Sequence, residues 1–196
     1  VSRWLRIPLI VHLRECLIPP SRLTRRMTAS AQLITTVSHA QREFLQQAPG
    51  LLKKPDHPPM ATVHNGLDPA TYLRKGHPPT TLRQSLGLSP EAVGVVLPGY
   101  LLPHKGADDF LDAARLVMEE FPRLQFFLLG GPYPDTGSTA DAIFPHQLRQ
   151  RIMDENLSGR IHLLGHRDDV PDVLWAMDIA VVPTRTQEAF GRVAAE

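Results

Sequence analysis

The sequence predicts an α/β fold built on parallel sheets. Short apolar runs rich in β-branched residues alternate along the chain with stretches of helical periodicity, the pattern of strands joined by crossover helices. The first such run, Ile7 to Leu13, is apolar apart from His12, as expected of a parallel strand covered on both faces. Proline and glycine punctuate the ends of these segments, at Pro49-Gly50, Pro58-Pro59, Pro78-Pro79 and Pro98-Gly99.

The elements follow in order. After the strand at Ile7–Leu13, Ser21 is placed to cap a helix behind Pro19-Pro20. Leu33 to Val37 reads as a second strand, and Ser38 caps a helix from His39 to about Gln47. Ala61 to His64 is a third short strand, closed by Asn65-Gly66. This β-α-β-α-β run reads as the back half of a doubly wound domain, residues 1–68. Residues 69–80 break into Pro, Gly and basic residues and read as an interdomain linker, so 81–196 becomes a second domain. That domain opens with a helix at Leu82–Leu86 ended by Gly87, then a strand at Val93–Leu97 and a helix from Lys105 to Glu120. Phe110, Ala113, Ala114 and Val117 form the apolar stripe of that helix, and Asp108 and Asp109 complement the dipole in its first turn. A strand at Gln125–Leu129 ends in Gly130-Gly131, and a long loop to about Pro145 leads into a helix through Asn156. A strand at Ile161–Leu164, a helix at Val170–Ala176, a strand at Ile179–Val182 and a final helix complete the sequence. The pattern begins in the middle of a βα repeat and stops inside a helix, which predicts a piece of a protein about twice as long.

Composition narrows the function. Apolar residues make up 42% of the chain, enough for a core. No run of 18 apolar residues suggests a membrane span, and the N-terminus lacks the apolar stretch of a signal peptide. A net charge of +1 argues against a nucleic-acid partner. Cys16 stands alone and fits a reducing compartment, so the expected location is cytoplasmic. The nine histidines show no metal-ligand spacing. No G-x-G-x-x-G follows a strand, which leaves a dinucleotide-dependent oxidoreductase without its fingerprint. Arg22, Arg25 and Arg26 beside Leu23 and Met27 read as a solvated helix face, with peripheral contact at the inner membrane face as the alternative.

The last nine residues carry the most chemistry. Glu188 and Glu196 bracket a Phe190-Gly191-Arg192 turn that leads from a strand pattern into a helix. A glycine turn into a helix start offers backbone N–H groups to phosphate, and carboxylates suit paired sugar hydroxyls. A phosphate site beside a hydroxyl site suggests a nucleotide-sugar. This stretch resembles the E-x7-E signature of family-4-type retaining glycosyltransferases of GT-B fold. Three further motifs fall in that family's order: Val63-His64-Asn65-Gly66-Leu67-Asp68, Gly99-Tyr100-Leu101-Leu102-Pro103-His104-Lys105-Gly106, and Leu164-Gly165-His166-Arg167-Asp168-Asp169-Val170.

The resemblance implies two Rossmann-like sheets facing a cleft, both incomplete in this chain. It implies a retaining transfer of sugar from a nucleotide diphosphate donor to an acceptor hydroxyl on a glycan, a lipid-linked carrier or a small molecule. No metal or other cofactor is expected. Glu196 falls where the family holds the ribose hydroxyls, and Glu188 where it contacts the transferred sugar. Phe190, Gly191, Arg192 and Val193 would offer N–H groups to the diphosphate, and Lys105 would neutralise it as it leaves. Lys105 lies near a helix start, where the dipole disfavours a cation, and that position supports a functional role. Gly130 and Gly131 would let donor sugar and phosphate approach the main chain, or serve as a plain turn. Arg167 would frame or stack on the base, or stand as an exposed loop arginine. Arg14 falls near a position where many members place a histidine; it suits an electrostatic or acceptor-binding role, or an interdomain salt bridge. The chain departs from the pattern at Tyr100, which follows Gly99 where the family usually has arginine. Tyrosine brings no charge, which leaves a non-catalytic nucleotide or nucleotide-sugar binding module as the second reading.

Overall fold

A computed structural model describes residues 7–16, 21–48, 57–133 and 139–196. It divides into two compact units, one formed by Val1–Leu67 with Gln187–Ala195, the other by Asp68–Thr186 with Glu196. Residues 1–6, 17–20, 49–56 and 134–138 lie outside the described part, and with them Pro19-Pro20, the expected Pro49-Gly50 punctuation and much of the loop before Pro145.

The first unit carries a parallel sheet of β1 (Ile10–Leu13), β2 (Leu33–Thr36) and β3 (Met60–Thr62), in the order β1-β2-β3. β1 is shorter than predicted and buried on one face only: Val11 and Leu13 point into the core while Ile10 is 60% exposed. It is also an end strand of the described sheet, paired on one side only. Helix α1 (Arg22–Ser30) starts at Ser21, whose hydroxyl accepts from the Thr24 N–H at 3.0 Å. Helix α2 (His39–Gln47) starts at Ser38, which accepts from the Gln41 N–H at 2.9 Å. Both caps are the ones the sequence predicts, because a serine hydroxyl replaces a partner that the first turn lacks. Ile34, Leu45 and Met60 close the core of this unit. Leu23, Met27 and the arginines of α1 are exposed. Among the described residues no helix is long and apolar enough to cross a membrane.

The second unit opens with the short helix α3 (Pro69–Tyr72), N-capped by Asp68. The expected linker at 69–80 thus contains a helix, and its Arg74 pairs with Asp172 of the same unit at 3.0 Å. Helix α4 is Thr80–Ser85, starting two residues and ending one residue earlier than predicted. The sheet consists of β4 (Val93–Pro98), β5 (Leu124–Leu129), β6 (Ile161–Gly165) and β7 (Ile179–Ala180), all parallel, in the order β6-β5-β4-β7. β7 ends at Ala180 instead of Val182, although the Val181 N–H still bonds the Val96 carbonyl.

Alternation along the central strands explains the layers. Val95, Leu97, Phe126 and Leu128 point to one face, packed by α5 (Ala107–Val117) and α6 (Thr139–Asp154). Val96, Phe127 and Leu129 point to the other, packed by Leu86, Leu88 and α7 (Val170–Ala176). A parallel sheet apolar on both faces needs helices on both, the doubly wound arrangement.

Two helices differ from the sequence reading. The one expected from Lys105 to Glu120 divides into a 3₁₀ turn, Pro103–Lys105, a left-handed Gly106 and then α5. Its buried face is Ala107, Phe110, Leu111 and Ala114, with Ala113 exposed. At 100° per residue, Ala113 sits more than a quarter-turn from the centre of that arc, so Leu111 takes the place assigned to it. α6 begins before Pro145, which lies inside it. Burial of Phe144 and Leu148 on either side holds the helix through a residue that removes one hydrogen bond. The helix ends at Asp154 instead of Asn156, and Asn156 in the turn beyond it takes a left-handed φ of 55°.

His162 on β6 stacks on Phe127 at 4.9 Å and pairs with Gln125 at 2.9 Å. Burial pushes its pKa below the ordinary 6.5. The unfolded chain therefore takes up this proton at a higher pH than the folded one. The stability held by neutral His162 is complete above about pH 6.5 and is lost as the pH falls through the window below it. His162→Gln is expected to flatten the fall in unfolding midpoint between about pH 7.5 and pH 5. An unchanged slope in thermal melts of the variant would contradict this.

Candidate functional site

In the second unit the strand order reverses at β4, which has β5 on one side and β7 on the other. In open α/β sheets, ligands bind outside the carboxyl ends of the strands at such a reversal. The loops after β4 and β7 meet there. β4 gives way to Gly99, Tyr100 and the buried Leu101 and Leu102, then to the turn that ends at Lys105. The Arg185 N–H and the Thr184 hydroxyl both donate to the His104 carbonyl, at 2.8 and 3.3 Å. Gly106 has φ 77°, and a Cβ there would overlap the Pro183 carbonyl oxygen. Only glycine lets the two loops approach so closely.

Charge is arranged around this edge. The Arg185 guanidinium forms two 2.6 Å bonds to Asp109 and holds that carboxyl below its ordinary pKa. Arg151 lies 3.7 Å from Asp108. The two acids in the first turn of α5 are thus countered by arginines, which reduces their repulsion of an anion at the helix start. Lys105 is partly buried in the turn just before them.

The neighbouring loops are tied to the first. The Gly99 N–H bonds the Leu129 carbonyl at 2.9 Å, and the Leu101 N–H bonds the Gly131 carbonyl at 3.0 Å. A Cβ on Gly130 would overlap the Gly99 carbonyl oxygen. Gly130 also bridges Gly165, the last residue of β6, which has a left-handed φ of 69°. Beyond it Arg167 makes a bidentate pair with Asp169, at 2.7 and 2.6 Å, which raises the arginine's pKa and lowers the aspartate's. Gly99, Tyr100, Lys105, Gly130, Gly131 and Arg167 therefore all occupy loops at one edge of one sheet. Glu196 belongs to the same unit and is partly buried.

The other predicted residues belong to the first unit. Arg14 is exposed just past the end of β1. The Ser38 hydroxyl that caps α2 also donates to the Ala189 carbonyl, which fixes Glu188–Phe190 to the end of β2. The Phe190 ring lies 6.3 Å from His64, and His64 stands 5.4 Å from His39. Glu188 is near Cys16, whose thiol pKa is raised by burial and then by that carboxylate. Gly191 takes φ 73° and leads into α8 (Arg192–Ala195), which contains Val193. Sequence reasoning gave Asp109 a helix-dipole role only, and singled out no functional role for His39, Tyr133 or Arg185. Each acquires its place through a partner far away in the chain, which no local spacing announces. Among the described residues no group of three His, Cys, Asp or Glu side chains could hold a metal ion.

Residues 92–196 match the family model described as Glycosyl transferases group 1. The chain is 32% identical over 123 residues to a D-inositol 3-phosphate glycosyltransferase of Geodermatophilus obscurus, an alignment covering 60% of this chain and 26% of that protein. It is 28% identical over 127 residues to the UDP-Gal:alpha-D-GlcNAc-diphosphoundecaprenol alpha-1,3-galactosyltransferase of Escherichia coli, covering 64% of this chain and 30% of that one. Among solved structures, Anabaena Alr3699/HepE in complex with UDP and glucose superposes with a TM-score of 0.77 at 26% identity, over 98% of this chain and 50% of that chain. Sucrose-phosphate synthase from Thermosynechococcus elongatus shares the fold, with a TM-score of 0.71 at 17% identity over 94% of this chain and 46% of its own. The matched regions thus span about a quarter to a third of these curated relatives, and about half of these structural ones.

Proposed function

Because the chain belongs to the group 1 glycosyl transferases, we propose that it binds a nucleoside diphosphate-sugar and transfers the sugar, with retention, to an acceptor hydroxyl. The observation that carries this reading is the strand reversal at β4, where the Lys105 turn and the Pro183–Arg185 loop are stitched together. A cation on a rigid turn at that crevice suits a diphosphate leaving group.

In the reaction the anomeric carbon–oxygen bond to the phosphate breaks and a new bond to the acceptor oxygen forms on the same face. The acceptor's proton passes to the departing diphosphate oxygen. Lys105 stabilises the negative charge that develops there. Glu188 contacts the transferred sugar, and Glu196 accepts hydrogen bonds from the ribose hydroxyls. The N–H groups of Phe190 through Val193 contribute to diphosphate binding, and Arg14 acts on the acceptor side. No metal is required where lysine and backbone dipoles carry the charge. UDP occupies the Anabaena protein, and a uridine nucleotide is the first donor to try. Glycan, lipid-linked and small-molecule hydroxyls are the candidate acceptors, and the expected location is cytoplasmic, with peripheral contact at the inner membrane face as the alternative.

Tyr100 favours one other reading, a binding module without turnover, since it leaves the turn without its usual second charge. Incubation with UDP-, GDP- and ADP-hexoses together with glycan, lipid-linked and small-molecule acceptors, followed by proton NMR, separates the two. Released diphosphate with a product of the donor's anomeric configuration is the expected result. An inverted product contradicts retention, and binding without release favours the module.

A further inference from the structure

We propose that Tyr100 and Tyr133 together form the surface on which the nucleobase of the donor stacks; this rests on the donor reading above. The two rings sit 4.8 Å apart at 77°, edge to face. Tyr100 follows β4 and Tyr133 follows β5, so they rise from adjacent strand ends at the ligand-binding edge of one sheet. The Leu101 N–H bond to the Gly131 carbonyl joins the two loops between the tyrosines, so the backbone sets the pair before any ligand arrives. Tyr100 remains 40% exposed and Tyr133 47% exposed.

An edge-to-face contact satisfies one ring's edge and the other's face and leaves flat aromatic surface uncovered. At the carboxyl edge of a doubly wound sheet, such surface suits a flat partner. Each nucleobase offers a π face, and stacking on an aromatic side chain is worth about 1–3 kcal/mol per base. The tyrosine loops are bonded to each other across β4 and β5, whereas the Lys105 turn is bonded to the loop after β7, on the other side of β4. A nucleotide spanning this edge with its diphosphate at the reversal places its base over the tyrosines. Binding then comes from aromatic surface at the position where a second cation would otherwise grip the phosphate.

The test compares UDP, GDP and ADP with inorganic pyrophosphate by ligand-observed NMR on the chain and on Tyr100 and Tyr133 variants. Tyr100→Ala and Tyr133→Ala are each expected to weaken the preferred nucleoside diphosphate about 5- to 100-fold. Pyrophosphate affinity is expected to stay within about twofold, and Phe at either position to retain the parent affinity within about the same factor. Tyr133→Leu, which keeps bulk without a π face, is expected to lose as much as Tyr133→Ala and covers the case in which the alanine variant misfolds. Equal losses for pyrophosphate and nucleotide would overturn the proposal in favour of a phosphate contact. Loss on Phe substitution would overturn it in favour of a hydroxyl contact. Folded alanine variants with unchanged nucleotide affinity would reduce the pair to loop packing. Failure of the parent chain to bind any of the three nucleotides would sink the donor reading along with the proposal.

Discussion

Gly106→Ala is expected to destabilise the Asp68–Thr186 unit by about 3 kcal/mol or more and to abolish ligand binding at its edge. Two costs add. At φ 77° a side chain meets the left-handed penalty of about 1–2 kcal/mol. The new methyl group would also overlap the Pro183 carbonyl oxygen, a backbone atom that cannot rotate away. Relief requires the β7 loop to move, which breaks the Arg185 N–H and Thr184 hydroxyl bonds to His104. Urea or thermal unfolding of the variant reads the loss directly. A midpoint within a degree or so of the parent would mean that the two loops are not in register as described.

Lys105→Ala is expected to have the opposite profile, a large effect on binding with little on stability. Between Gly99 and Gly106, Lys105 is the one permanently charged side chain, since Tyr100 stands where a second cation would be. A charge-assisted contact is worth about 1.5–3 kcal/mol, so its loss weakens nucleoside diphosphate binding about 10- to 100-fold. The unfolding free energy is expected to change by less than about 1 kcal/mol. Residual binding is expected to depend less on salt than the parent's, because a screened interaction has been removed. Isothermal titration at two ionic strengths checks both statements. Lys105→Arg, which keeps the charge, is expected to recover most of the affinity.

The part of the fold that was legible is the part written locally. Ser21 and Ser38 announce α1 and α2 because an N-cap needs only a hydroxyl and the next turn of chain. The central strands β4 and β5 of the second unit are legible because a parallel strand covered on both faces is apolar at nearly every position. β1 is the exception, since an apolar run does not say that one face lacks a cover. Ala113 and Pro145 mislead for related reasons. Periodicity fixes the width of an apolar stripe better than its centre, and a helix flanked by buried Phe144 and Leu148 continues through a proline.

The candidate site is legible as motifs but not as partnerships. Gly99, Lys105 and Gly130 stand out as residue types, yet the reasons they stand together lie in contacts across long separations. Tyr133 is 33 positions from the ring it touches, and Ala189 is 151 positions from the Ser38 hydroxyl that holds it. The latter contact belongs to the first unit, where Gln187–Ala195 is grouped; the sequence reading places these residues with the second domain.

Saturation-transfer NMR of the chain with UDP, GDP, ADP and CMP, and with their sugar conjugates, tests the donor site most directly. Transfer to one nucleoside diphosphate, lost in a folded Lys105→Ala, Glu196→Ala double variant, is the expected result. No transfer to any nucleotide from the folded parent chain, or undiminished transfer to the variant, would contradict a donor site at the carboxyl edge of the β4–β7 sheet.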